Sequence, residues 1–189
     1  MPRISLPKPE TMDSAQRAVY DKVASGRRGK VVGPLRAALH SPELADRWQA
    51  LGEFLRYNTS LTPRLSELAI LVTGRACQAP FEWYAHHAEA LKAGVEQSVI
   101  DALLEQRMPT GASADDAIVI RFATELNATN SVSDDTYSAA LERFGERTVV
   151  ELTALVGYYT MVAMTLNAHE IPLPDGVQPA FPLPHRGQA

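Results

Sequence analysis

The chain has 189 residues, 46% of them hydrophobic, which is enough to bury one sizeable core but short for two. Its 18 basic and 22 acidic residues give a formal net charge of −4, so we expect no nucleic-acid partner. The single cysteine, Cys77, excludes an internal disulfide and a CxxC redox pair, and it favours a reducing compartment, the cytoplasm. We therefore predict one domain in a cytoplasmic protein.

Prolines mark both ends of the chain. Residues 1–10 contain prolines at positions 2, 7 and 9 and are predicted to form an extended N-terminal arm. The C-terminal tail, residues 171–189, is predicted to be neither helix nor central strand because it contains Pro172, Pro174, Pro179, Pro182 and Pro184. The sequence allows two interpretations of these arms. They either lie across a neighbouring subunit or are disordered.

Between the arms, residues 11–170 show the spacing of apolar residues that is typical of amphipathic helices. Ser41-Pro42 and Thr62-Pro63 each combine an N-cap residue with a proline at the first helical position. No pair of strands is indicated. We therefore predict an all-α bundle of about eight helices. In the helix that opens after Ser41, the residues predicted to face inward are Leu44, Trp48, Leu51, Phe54 and Leu55.

The last predicted helix contains an uncharged, largely apolar stretch at residues 152–168. This stretch is shorter than the roughly 20 apolar residues of a membrane span, contains Thr and Asn side chains, and lacks flanking Lys or Arg. We interpret it as a buried central helix or as a helix that lines a subunit interface. No membrane association and no secretory signal peptide are expected.

Residues 62–94 contain the candidate chemistry. Pro80 divides this stretch into a helix that ends near Cys77 and a second helix that begins at the proline. Glu82 and His86 are four residues apart on the second helix, so they lie on one face within mutual reach, while Glu67 lies on the first helix. A carboxylate and an imidazole in this arrangement can share a proton, as general acid-base catalysis requires. Alternatively, Glu82 only complements the helix N-terminus and His86 is a surface residue.

Other polar residues of the same region have two interpretations each. Cys77 is either a nucleophile or a small core residue. Arg64 and Arg75 are candidates to hold an acidic substrate, and the alternative is that both are solvated surface residues. The adjacent His86 and His87 do not match the HExxH pattern of zinc sites, so we predict no metal site.

The most specific pattern in the chain is aromatic-Glu-Trp-x-x-His, formed by Phe81, Glu82, Trp83 and His86, with Glu67 nineteen residues before the histidine. With its surroundings, this pattern resembles the carboxymuconolactone decarboxylase-like proteins, the superfamily that includes alkyl hydroperoxidase D. The similarity extends over most of the chain. It implies an all-α bundle that assembles into homo-oligomers, trimers or hexamers, with a pocket between helices near the subunit contacts.

In the hydroperoxidase branch of this superfamily, a CxxC pair works with an upstream glutamate and a downstream histidine. The two cysteine positions correspond to Ala79 and Glu82 in this chain, whereas Glu67 and His86 match the acid and the imidazole. The resemblance therefore implies that the proton relay is retained and that the redox pair is absent.

The first functional hypothesis from the resemblance is a lyase that needs no cofactor and decarboxylates a small carboxylated lactone or a related acid from aromatic-compound catabolism. His86, oriented by Glu82, would hydrogen-bond the lactone carbonyl or protonate carbon, and Glu67 would relay the proton. The substrate is thus a small acidic molecule. Its predicted binding residues are Arg75, Trp83, His87 and Tyr158.

Two alternatives remain open at the level of sequence. One is a peroxidase-like oxidoreductase that uses Cys77 alone. The other is a protein without catalytic activity, a ligand-binding oligomer whose His86 pocket holds an acid and does not convert it.

Overall fold

A computed structural model describes residues 1–182, and every regular element within this range is helical. The predicted all-α class with about eight helices is therefore confirmed for the described residues. Residues 183–189, which include Pro184 of the predicted tail, lie outside them. A single 3₁₀ turn at Pro9–Thr11 precedes the helices, which are α1 Ser14–Ser25, α2 Pro34–Ala38, α3 Pro42–Tyr57, α4 Pro63–Ala76, α5 Pro80–Lys92, α6 Gln97–Leu104, α7 Ala114–Thr129 and α8 Asp134–Ala168.

Side-chain caps fix where several helices begin. The Thr62 hydroxyl accepts a hydrogen bond from the Leu65 amide, which starts α4 at the predicted position. In α1, Asp13 and Gln16 form a capping box, in which each side chain accepts a hydrogen bond from the other's backbone amide. The helix therefore begins at Ser14.

The inward face of α3 differs from the prediction. Trp48 and Leu55 are buried as expected, but Leu44, Leu51 and Phe54 are exposed, so their predicted burial is wrong. The buried face consists of Ala45, Trp48, Gln49, Gly52 and Leu55. Periodicity based on large apolar residues gave the wrong stripe because the buried face contains an alanine, a glycine and a glutamine.

The core is organised around α4, which packs against α3, α5, α6, α7 and α8. All ten residues of its central stretch, 65–74, are buried, so this helix has no solvent face. The polar members of the stretch must therefore find partners inside the protein. One of them is Glu67.

The long helix α8 is the second main component of the core. By length and composition it could cross a membrane, but 56% of its most apolar 18-residue window is buried. It packs against α2, α3, α4, α5 and α7, which identifies it as a core helix of the bundle. At Gly145, φ is 78° and ψ is 165°, so the helical backbone of α8 is interrupted at this residue.

Both terminal arms lie against their own chain. In the N-terminal arm, the Arg3 amide donates to the His169 carbonyl, and the Arg36 guanidinium donates to the Leu6 carbonyl. In the described part of the C-terminal tail, the ring of Phe181 meets that of Trp83 edge-on, with 6.0 Å between the centroids. The N-terminal arm therefore contacts α2 and the C-terminal end of α8, and the C-terminal tail contacts α5.

An ion pair joins the first turns of α4 and α7. The Arg64 guanidinium donates from Nε and Nη2 to the carboxylate of Asp116, with Nη2 2.8 Å from Oδ2. Asp116 is 1% exposed, and Arg64 also pairs with Glu96 at 2.6 Å. Arg64 is therefore held by protein carboxylates and is not available to bind a substrate.

We expect Arg64→Ala to lower the free energy of unfolding by about 2 to 3 kcal/mol, because it leaves the buried Asp116 carboxylate without its counter-charge. Urea unfolding followed by circular dichroism measures this change. Arg143→Ala is the matched control, because Arg143 makes a similar forked contact with Asp115 at the surface and should have little effect. Equal effects of the two substitutions would contradict a special role for the Asp116 pair.

Candidate active site

Three of the predicted residues meet between α4 and α5. Glu67 comes from α4, and Glu82 and His86 lie one turn apart on α5. The Nδ1 atom of His86 is 2.6 Å from Glu67 Oε2, and its Nε2 atom is 3.0 Å from Glu82 Oε1. His86, Glu67 and Glu82 are 5%, 9% and 4% exposed. The structure thus brings the three residues into one buried cluster, and His86 is not a surface residue.

The charge state of His86 follows from its two carboxylate neighbours. Burial by itself lowers the pKa of His86, but the charges and hydrogen bonds of Glu67 and Glu82 outweigh burial and raise this pKa to about 9. At neutral pH the ring is therefore an imidazolium that donates one N–H to each carboxylate. No ring nitrogen is left for a direct hydrogen bond to a substrate, so Glu82 lies between His86 and any bound molecule on that side.

A tyrosine and an arginine complete the surroundings of the cluster. The ring of Tyr159 meets the imidazole edge-on at 5.0 Å, and burial raises the pKa of Tyr159 well above its usual value, so the phenol stays neutral. Arg56 is half-buried nearby. Burial acts to lower the pKa of Arg56, but Tyr159, Glu67 and Glu82 raise it above its usual value. The guanidinium thus balances the second carboxylate charge.

A cavity of about 110 Å³ lies beside the cluster. Glu82 and His86 line one side of it, and Glu67, which is not part of the lining, lies behind the histidine. The remaining wall contains aliphatic residues together with cationic and aromatic side chains, the latter being Arg28, Lys30, Arg56, Phe81, Tyr158 and Tyr159. The cavity therefore joins a proton donor to a positively charged, partly aromatic binding surface.

Of the four predicted substrate-binding residues, the structure places only Tyr158 in this cavity. Trp83 and His87 line a separate cavity of about 320 Å³ between α5, α6 and the C-terminal tail. Arg75 donates to the Leu104 carbonyl at 2.8 Å, stacks over the ring of Phe181, and lines a third cavity of about 460 Å³. These three residues do not contact the space beside His86.

Cys77 also lies away from the cavity. It is the C-cap residue of α4, and its Sγ atom is 3.9 Å from Asn127 Oδ1. Burial raises the pKa of the Cys77 thiol, although a hydrogen bond with Thr160 acts in the opposite direction. A raised pKa leaves less of the reactive thiolate at neutral pH. In residues 1–182, no group of three or more His, Cys, Asp or Glu has a geometry that could hold a metal ion.

Sequence reasoning missed Arg28, Lys30 and Gly52. The first two lie in the loop between α1 and α2, which the sequence shows only as a basic, glycine-containing turn. Gly52 lies on the buried face of α3, and a Cβ atom there would overlap the hydroxyl of Tyr158 and Nη2 of Arg28. The only sequence signal was the basic run at 27–30. Its proximity to His86 is a long-range contact that no local pattern reveals.

Residues 42–125 match the family described as the carboxymuconolactone decarboxylase family. The matched range extends from α3 into α7 and includes all three residues of the buried cluster. The match covers less than half of the chain and shows that this part of it is similar to the carboxymuconolactone decarboxylase family. No protein of curated function matches the sequence significantly.

Solved structures show that this chain shares the fold of alkylhydroperoxidase D-like proteins. An uncharacterized peroxidase-related protein from Ralstonia eutropha JMP134, described as an alkylhydroperoxidase core, aligns with a TM-score of 0.74 and 17% identity over 92% of this chain and 93% of its own. An uncharacterized peroxidase-related protein from Silicibacter sp. TM1040 aligns with a TM-score of 0.75 and 14% identity, over 90% of this chain and 91% of its own. A protein of unknown function from Agrobacterium tumefaciens aligns with a TM-score of 0.67 and 17% identity, over 73% of this chain and 95% of its own. At these identities the likeness concerns the fold.

The stability of the protein should depend on pH through His86. A histidine whose pKa is raised by folding stabilises the fold fully below its unfolded pKa of about 6.5, and this contribution disappears as the pH rises through about 9. We therefore expect the free energy of unfolding to fall by up to about 3 kcal/mol between pH 6.5 and 9.5. Urea unfolding at several pH values measures the fall. In His86→Gln the fall over this window should be much smaller, and a flat wild-type profile would show that the imidazole is neutral.

The role of Gly52 in shaping the cavity can be tested by stability alone. We expect Gly52→Ala to destabilise the protein by about 1 to 3 kcal/mol, because the added methyl group must displace Tyr158 and Arg28. Ala50→Ser is the control on the same helix, since Ala50 is exposed on α3. This control should change the free energy of unfolding by only about 0.5 kcal/mol. Thermal unfolding of both variants measures these effects. A Gly52→Ala variant more stable than the wild type would contradict the inference that Tyr158 and Arg28 occupy the space beside residue 52.

Proposed function

We propose that this protein is a cofactor-free lyase that decarboxylates a small carboxylated lactone or a related acid from aromatic-compound catabolism. The observation that carries the proposal is the buried Glu67–His86–Glu82 cluster, whose Glu82 end faces a cavity rich in cations. Such a cluster supplies protons and electrostatic stabilisation, and decarboxylation of a carboxylated lactone needs both. The similarity of residues 42–125 to the carboxymuconolactone decarboxylase family supports the same reaction class.

The reaction can be balanced with the residues of this site. Loss of CO2 breaks a carbon–carbon bond, and the electron pair left on the ring carbon is delocalised onto the lactone carbonyl. A proton then passes from Nε2 of His86 to Glu82 and from Glu82 to that carbon. Glu67 keeps its hydrogen bond to Nδ1 and holds the ring in place, as a carboxylate partner of a catalytic imidazole does. After the product leaves, water returns a proton to His86 through Glu82.

The cations of the cavity wall have a separate task. In the transition state, negative charge moves from the departing carboxylate toward the carbonyl oxygen. The fixed positive charges of Arg56 and Lys30 stabilise this developing charge in a site that is partly shielded from water. Catalysis therefore rests on preorganised charges as well as on the proton relay.

We also propose that the protein acts in the cytoplasm as a homo-oligomer, a trimer or hexamer. The single cysteine supports a reducing compartment. An uncharged stripe on α8 is exposed and supports a subunit contact, because apolar side chains at this spacing form a seam that a second helix can cover. The stripe consists of Val150, Ala154, Gly157, Met161, Met164 and Ala168.

A single-cysteine peroxidase is the second candidate, because two of the similar structures are described as peroxidase-related. The geometry gives it less support. Cys77 is not part of the cavity lining beside His86, and the raised pKa of its thiol disfavours the thiolate that would attack a peroxide.

The test is a screen of carboxylated lactones and aromatic-pathway acids for CO2 release. For a processed substrate, we expect His86→Gln and Glu82→Gln to lower kcat by about 100-fold or more, because each substitution interrupts the proton path. Cys77→Ser is the control and should leave the rate unchanged.

Three outcomes would contradict the proposal. Unchanged turnover in His86→Gln would exclude the proton relay. Peroxide consumption that disappears in Cys77→Ser would favour the peroxidase. A carboxylic acid that binds tightly and is recovered unchanged after long incubation, with no acid in the screen releasing CO2, would favour a ligand-binding protein without catalytic activity.

A further inference from the structure

The guanidinium of Arg28 is the most unusual feature of the cavity wall. Its Nε atom is buried and makes no hydrogen bond within the described residues. Its Nη2 atom is 3.5 Å from the Tyr158 hydroxyl, which is the far limit of a hydrogen bond. A buried guanidinium N–H without an acceptor is costly, so this side chain is suited to an acceptor that arrives with a ligand.

Within residues 1–182, no carboxylate forms an ion pair with Arg28 in this cavity. Glu67 and Glu82 both hydrogen-bond His86, and the groups around the cavity number four cations against these two carboxylates. The excess positive charge favours an anion. The planar fork of an arginine matches the two oxygens of a carboxylate more closely than a lysine does.

The recess that admits the guanidinium depends on Gly52. A side chain at this position would overlap both Nη2 of Arg28 and the Tyr158 hydroxyl, so the helix surface is open only because residue 52 has no Cβ atom. The neighbouring Arg27 points elsewhere, with its guanidinium 4.4 Å above the ring of Tyr57. Of the two adjacent arginines, only Arg28 reaches the cavity.

We propose that Arg28 is the carboxylate receptor of this cavity and holds a carboxylate that the substrate keeps. The inference rests on the proposed decarboxylation, because a cation that gripped the departing carboxylate would stabilise the bound substrate more than the transition state and would slow the reaction. The substrate therefore carries two carboxylates, one held by Arg28 and one lost beside Glu82. A cavity of about 150 Å³ holds benzene, so this cavity of about 110 Å³ has room only for a small acid. Any part of the substrate that does not fit inside extends out of the cavity past the exposed Lys30.

Succinate is a suitable probe because it is a small dicarboxylate, and succinamide is its neutral counterpart. In calorimetric titrations at pH 7 and low ionic strength, we expect the wild type to bind succinate and not succinamide. Arg28→Gln should weaken succinate binding by roughly 10- to 100-fold, as expected for the loss of a charge-assisted fork. Arg28→Lys should restore part of the affinity. Arg27→Gln is the matched control and should bind as the wild type does.

Several results would overturn the receptor role. These are no succinate binding by the wild type at millimolar concentration, equal binding of succinate and succinamide, unchanged binding in Arg28→Gln, and an equal loss in Arg27→Gln. Binding and turnover are measured separately, so the two proposals fail separately. If succinate binding depends on Arg28 but no acid releases CO2, the carboxylate-binding role of Arg28 is supported and the decarboxylase proposal is contradicted. If an acid releases CO2 and its KM is unchanged in Arg28→Gln, the decarboxylase proposal is supported and the carboxylate-binding role of Arg28 is contradicted.

Discussion

The structure depends on one constraint, which is that three ionisable side chains are buried together between two helices. An isolated charge in a protein interior is very unfavourable, and a buried ion pair is tolerated only when its hydrogen bonds are satisfied. His86 satisfies this condition by donating to Glu67 on one side and to Glu82 on the other. The remaining negative charge is balanced by Arg56 at the edge of the cluster. Any change to one of the four groups alters the charge balance of the others.

The surrounding helices follow from this constraint. The central stretch of α4, residues 65–74, is buried and therefore holds Glu67 inside the bundle beside the imidazole. α5 begins directly after the turn that follows α4, and α8 closes the site with the ring of Tyr159 against His86. The cavity is left at the Glu82 side. In the proposed reaction, the proton therefore passes from His86 to the substrate through Glu82, because Glu82 and not Glu67 lines the cavity.

Local sequence patterns were sufficient for the helices and for half of the site. Proline and threonine at positions 63 and 62 mark the start of α4, and the four-residue spacing of Glu82 and His86 places them together on α5. The contact with Glu67 required the family resemblance, because the turn between the helices sets the distance. Arg28 and Tyr158 are 130 residues apart, and only the packing of α3 against α8 at Gly52 brings them together. The inward face of α3 was predicted wrongly because its buried side contains Ala45, Gln49 and Gly52 in place of large apolar residues.

The comparison with the hydroperoxidase pattern gives the position of Glu82 a further meaning. By the resemblance, residue 82 corresponds to the second cysteine of the CxxC pair, and the first corresponds to Ala79, which is fully buried. In this chain the side chain at position 82 lines the cavity and hydrogen-bonds the imidazole. A thiol placed there would be activated by the same histidine, whereas a carboxylate placed there accepts and delivers a proton. In the proposed function, the carboxylate at position 82 therefore serves proton transfer at a place where the hydroperoxidase pattern has a thiol.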